Sequence, residues 1–155
     1  MEEKKEIKGI TIPNAVFEDR RQEIWKSNQL DKLGSALAKA QGEMKGAKKE
    51  SINPFFKSGY ADLHTVIESS FPFLSKHGLC VLQGNDSDEK SFYVTTMLLH
   101  ESGQWIKSKL KMPVEKPNAQ GVGATITYAR RFALSAMVGI AQYDDDGESI
   151  TNHKK

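Results

Sequence analysis

Two long β-prone segments that meet at Ser102-Gly103 restrict this chain more than any other feature. "SFYVTTMLLH" (91–100) and "QWIKSKLKM" (104–112) flank a dipeptide suited to a hairpin turn. With Ser102 and Gly103 as the two turn residues, His100 opposes Trp105, Leu98 opposes Lys107 and Thr96 opposes Lys109. Tyr93, Met97, Leu99, Ile106, Leu110 and Met112 then form the expected core face. Trp105, Lys107, Lys109 and Lys111 form the other, with Val94 and Leu98 across from them. Alternating lysines are the ordinary solvent face of a sheet and also guard its edges. A face that is merely solvated has no need of apolar neighbours, so these lysines are candidates for binding.

Helical spacing frames the hairpin on both sides. Leu30, Leu33, Leu37, Ala40 and Met44 predict a helix over about 29–44, capped by Asn28. Residues 45–59, with Gly46, Asn53-Pro54 and Ser58-Gly59, read as a long loop. Leu63, Val66, Ile67, Phe71 and Leu74 predict a second helix that stops at Gly78, with Pro72 as a kink or break. "LCVLQ" is a short strand and "GNDSDEK" a turn. "PVEKPNAQG" is a loop, and Gly121 to Ile140 form the last helix. Before all of this lies an N-terminal arm, 1–28, whose piece "IKGITI" is β-prone. The expected organisation is one domain, 29–143, followed by a short acidic tail, 144–155. With 155 residues there is room for one core and not two.

The last helix poses a chemical question. "TITYARRFALSAM" sets Arg130 and Arg131 among small and apolar residues. On a helix they point about 100° apart, so the pair is not one clamp. Salt bridges or subunit contacts are one reading; phosphate binding, which suits the planar guanidinium fork, is the other. The formal net charge of +2 hides an asymmetry. From Gly103 to Arg131 the bases are Lys107, Lys109, Lys111, Lys116, Arg130 and Arg131, and Glu115 is the one acid. After Ala141 the acids Asp144, Asp145, Asp146 and Glu148 outnumber Lys154 and Lys155. A basic middle favours an anionic partner.

Other chemistries find less support. No apolar run approaches the roughly 20 residues of a membrane span, and "MEEKKEIKG" lacks the apolar segment of a signal peptide. Cys80 is the only cysteine, which fits a reducing cytoplasm. His64, His77, His100 and Cys80 lack zinc spacing. Three consecutive acids cannot all reach one ion without unusual backbone geometry, so Asp144–Asp146 read as a solvated exit from the helix. There is no phosphate-binding glycine loop, and neither catalytic residues nor a cofactor are called for. The rivals kept open are a metal-dependent nuclease using Asp144–Asp146, and an oligomeric scaffold whose basic face is a subunit interface.

Four segments in order, "NPFFKSGYADL", "HGLCVLQ", "LLHESGQWIKS" and "QGVGATITYARRFALSAMVGIAQYDDD", resemble the Erf (essential recombination function) family of bacteriophage single-strand DNA annealing proteins. The likeness runs from about Leu30 to Asp146. It implies ATP-independent binding of single-stranded DNA and annealing of complementary strands in phage-type homologous recombination, by a ring or helical homo-oligomer in the bacterial host cytoplasm. Its implied partners are a host single-strand binding protein or a phage exonuclease. The expected fold is α+β: a β-β-β-α core with a three-stranded antiparallel sheet, preceded by two helices. The site would be a groove between the lysine face, the last helix and the loop before the second helix. Lys107, Lys109, Lys111, Arg130, Arg131 and Lys57 would meet phosphates. Tyr60, Phe56, Tyr128 and Trp105 would stack on bases, with Gln120 and Thr127 on the same helix. Arg131→Glu is expected to abolish DNA binding with the fold intact.

Overall fold

The computed structural model describes residues 6–7, 10–11, 24–49, 51–52, 59–88, 91–114 and 118–143. Within them the chain is α+β, with three helices and a mainly antiparallel sheet. The order is β1 (Glu6–Ile7), β2 (Ile10–Thr11), β3 (Ile24–Lys26), α1 (Asp31–Glu43), β4 (Ala47–Lys48), β5 (Ser51–Ile52), β6 (Gly59–Tyr60), α2 (Leu63–Lys76), β7 (Leu79–Ser87), β8 (Ser91–His100), β9 (Trp105–Pro113), α3 (Ala119–Val138) and β10 (Gln142–Tyr143). The main sheet runs β3-β9-β8-β7, and every pairing in it is antiparallel. A fourth strand, β3, from the stretch expected as an arm, thus joins the three expected ones. "IKGITI" supplies Ile7 of β1 and all of β2, and the two strands pair with each other. The expected loop 45–59 contains β4 and β5 and the first residue of β6; β4 pairs with β10, and β5 with β6. The expected turn "GNDSDEK" is shorter, because β7 continues through Gly84 to Ser87.

The hairpin corrects the expected register by one residue. Leu99 faces Trp105, Leu98 faces Ile106 and Met97 faces Lys107. The loop has three residues, Glu101–Gly103, not two: His100 donates its backbone N–H to Gln104 O at 2.9 Å, and Gly103 donates to His100 O at 2.8 Å. Gly103 sits at φ +85°, the left-handed residue that such a loop requires. A slip of one residue turns every side chain of β8 to the other face. Val94 and Leu98, not Tyr93, Met97 and Leu99, therefore enter the core, both at 0% exposure. Full burial of each is worth about 1.5–3 kcal/mol, which favours this register over one that exposes them.

All three helices cover one side of the sheet. Leu79 and Leu98 are buried with Leu33, Ala36, Ala40, Val66, Leu74, Leu134 and Val138 from α1, α2 and α3, with Val81 and Ile106 packed against them. Phe92 and Val94 form a second cluster with Ala129 and Ala133, flanked by Leu110, Met112, Val122 and Ile126. Alternation along the strands leaves Cys80, Leu82, Tyr93, Met97, Leu99 and Trp105 on the opposite side, and none of them belongs to either cluster.

Helix ends are fixed by particular contacts. The cap expected from Asn28 is absent; Gln104, just after the hairpin loop, accepts from Leu33 N–H at 2.9 Å and donates to Asp31 Oδ1 at 2.8 Å. That bond holds the Asp31 carboxyl below its ordinary value. Asp62 caps α2, accepting from Thr65 N–H at 2.8 Å. Pro72 neither breaks nor splits α2, which continues to Lys76. Asn118 caps α3 through Gly121 N–H, and Gly139 ends it at φ +71°. Glu43, at the end of α1, meets Lys76 Nζ and His77 Nε2, both at 2.8 Å, tying the C-terminal ends of α1 and α2 together.

Candidate nucleic-acid interface

The side of the sheet that the helices leave open is a basic and aromatic surface. Trp105, Lys107, Lys109 and Lys111 project from alternate positions of β9, about 6.7 Å apart. Register places Trp25 of β3 beside Lys107, and Leu99, Met97, Thr95 and Tyr93 of β8 beside Trp105, Lys107, Lys109 and Lys111 in turn. Lys107 Nζ lies 5.3 Å from the Trp25 ring centroid and 5.5 Å from that of Trp105. Lys109 and Lys111 lie 4.4 and 5.7 Å from the centroid of Tyr93. The Tyr93 hydroxyl donates to Asp88 Oδ2 at 2.6 Å, which fixes its ring. Cation–π contact holds each ammonium near the surface without neutralising it. An ion pair beside them is loose: Asp86 Oδ2 is 4.0 Å from Lys109 Nζ.

The two arginines have separate surroundings, as their angular offset implies. Arg130 is half-buried, and its Nε donates to Gln83 Oε1 at 3.3 Å, while its carbonyl accepts from Gln83 Nε2 at 3.0 Å. Arg131 is buried at 8% exposure. Its guanidinium carbon lies 4.6, 5.1 and 4.9 Å from the ring centroids of Tyr60, Tyr128 and Phe132, and Nη1 donates to Ala61 O at 3.2 Å. Its Nε has no hydrogen-bond partner among the described residues. Tyr128 and Phe132 remain 47% and 41% exposed, with ring centroids 4.4 Å apart.

The expected single groove does not form. α3 packs through Ala129 and Ala133 on Phe92 and Val94, whereas Lys107, Lys109, Lys111 and Trp105 project from the other side. Gln120, Thr127 and Tyr128 are exposed on α3; Tyr128 and Tyr60 flank Arg131, while Arg130 faces Gln83 of β7. The candidate residues thus divide into a sheet set and a helix set. Lys57 and Phe56 lie outside the described residues, as do Asp144, Asp145 and Asp146. Tyr93, expected on the core face, lies beside the lysines instead, and Trp25 joins them from outside the expected site. Placing Gly103 at the left-handed position of a three-residue loop turns Tyr93 toward the lysines. Trp25, in "EIWKS", carries no sequence signal for its pairing with β9.

A family model of the ERF superfamily matches residues 33–155. The chain belongs to this superfamily. Membership of the ERF superfamily supports single-strand annealing in recombination, and binding of single-stranded DNA, as the class of activity. No curated protein and no solved structure matches the chain. Among the described residues no helix is long and apolar enough to cross a membrane. No group of three or more His, Cys, Asp or Glu among them is arranged to hold a metal ion.

Proposed function

We propose that this ERF protein binds single-stranded DNA on the open face of its sheet and anneals complementary strands without ATP, acting as a homo-oligomer in phage-type recombination. The observation that carries this reading is the column of Lys107, Lys109 and Lys111 interleaved with Trp25, Trp105 and Tyr93 on a face that neither core cluster includes. Lysines meet phosphates without regard to sequence, which an annealing protein needs. Aromatic rings add stacking of roughly 1–3 kcal/mol per base, also without sequence preference. The helix set (Gln120, Thr127, Tyr128 and Arg130) forms a separate contact on the far side of the sheet. Arg131 acts there through Tyr60 and Tyr128, whose rings it holds. Lys57 and Phe56 are proposed as a phosphate and a base contact from the sequence alone.

The experiment is a salt titration of binding to labelled single-stranded and duplex DNA, followed by an annealing assay without nucleotide. The expected result is preference for the single strand, a log–log salt slope of several units and faster annealing. Weak binding without strand preference would overturn the proposal and turn the lysine face into a subunit contact.

A further inference from the structure

We infer that the open face holds the strand side-on, with phosphates along β9 and nucleobase faces against the apolar surface of β8 and β7. The inference rests on the single-strand reading above and goes further, assigning each part of the nucleotide to a strand of the sheet. Among the described residues the lysines of this face, Lys107, Lys109 and Lys111, form one column. Across from them β8 presents Leu99, Met97, Thr95 and Tyr93, and β7 presents Cys80, Leu82, Gly84 and Asp86. One row reads Trp25, Lys107, Met97, Leu82 across four strands. A single exposed leucine is ordinary on a protein surface. Leu82, at 59% exposure, differs because it continues an apolar strip, through Met97, that begins at a lysine.

Nucleotides match such a strip, being anionic at the backbone and apolar on the base face. Two features set the direction. Asp86, whose side chain is 74% exposed, stands on β7 two strands from β9 and reaches Lys109 Nζ only at 4.0 Å, so a backbone laid along β7 would meet a carboxylate and no lysine of that strand. Gly84 meets no heavy atom within 4 Å of where a Cβ would stand, so the strip stays open between Leu82 and Asp86. On the β3 side, the face gains Trp25, whose ring already lies under Lys107. The bases therefore lie over β8 and β7.

The test compares a thymidine oligomer with an abasic deoxyribose-phosphate oligomer of equal length, at one salt concentration. Leu82→Ala removes an exposed side chain and opens no cavity, so the variant folds. The expected result is a loss of roughly fivefold or more on the thymidine oligomer, with the abasic oligomer within about twofold of wild type, while Lys107→Gln weakens both. An equal loss of Leu82→Ala on both oligomers, or no loss even in the double variant Leu82→Ala/Met97→Ala, would overturn the inference and leave single-strand binding standing. Wild-type protein that binds neither oligomer would overturn the single-strand reading and this assignment together.

Discussion

Arg131 and Arg130 are neighbours in sequence whose surroundings give them unlike duties. Arg130 exchanges hydrogen bonds with Gln83 at the edge of the sheet, while Arg131 is enclosed by Tyr60, Tyr128 and Phe132. A buried cation is costly unless its surroundings replace water; here three ring faces and the Ala61 carbonyl do so. Arg131→Ala is expected to destabilise the protein by about 2–4 kcal/mol, from lost packing and cation–π contact together, as read by urea denaturation. Arg131→Glu is expected to lower stability at least as much, so loss of DNA binding in that variant would not separate folding from contact. At Asp62 the effect is pH-dependent. The Thr65 backbone N–H holds its carboxyl below the ordinary 3.8. A depressed carboxylate contributes stability above its ordinary value and loses it as pH falls through the lowered one. Acidification below about pH 4 is therefore expected to weaken the wild type. Asp62→Ala should cost about 1 kcal/mol at neutral pH and flatten that part of the pH profile.

At the scale of elements, the hairpin shows what sequence reading reached and where it stopped. Alternation along β9 is unambiguous, since Lys107, Lys109 and Lys111 must share a face. β8 is rich in apolar residues at both parities, so Val94 and Leu98 compete with Tyr93, Met97 and Leu99 for the core. Only the loop geometry at Gly103 decides between them. The helices were legible because an apolar stripe fixes a helix by itself. The cap of α1 was not, because Gln104 reaches it across 71 positions of sequence. The groove failed for a related reason: sequence order does not say on which side of a sheet a helix packs. Register can be tested directly. Leu98→Ala is expected to cost about 2–5 kcal/mol, and Leu99→Ala less than half as much, measured by thermal or urea unfolding. The reverse order would restore the two-residue turn. Gln104→Ala should cost about 1 kcal/mol by uncapping α1, with the loss appearing as faster hydrogen exchange in its first turn.

For the whole molecule, the sheet separates two chemically different sides, and the question is which of them carries the electrostatic grip on DNA. Among the described residues the open side has Lys107, Lys109 and Lys111 in one column, with the Asp86 carboxylate 4.0 Å from Lys109. On the far side, among the described residues, Arg131 is buried and Arg130 is engaged with Gln83. Each phosphate contact on a single strand contributes about 0.7 to the log–log salt slope. Replacing Lys107, Lys109 and Lys111 together by glutamine is therefore expected to reduce that slope by about 2. The melting temperature should change little, because these side chains belong to neither core cluster. A double variant of the helix set, Gln120→Ala/Thr127→Ala, removes no charge and should leave the slope unchanged. If the triple variant keeps both its slope and its melting temperature, the grip does not lie on the sheet. The strand must then run along α3, where Tyr128 and Phe132 are the exposed aromatic rings available to stack on it.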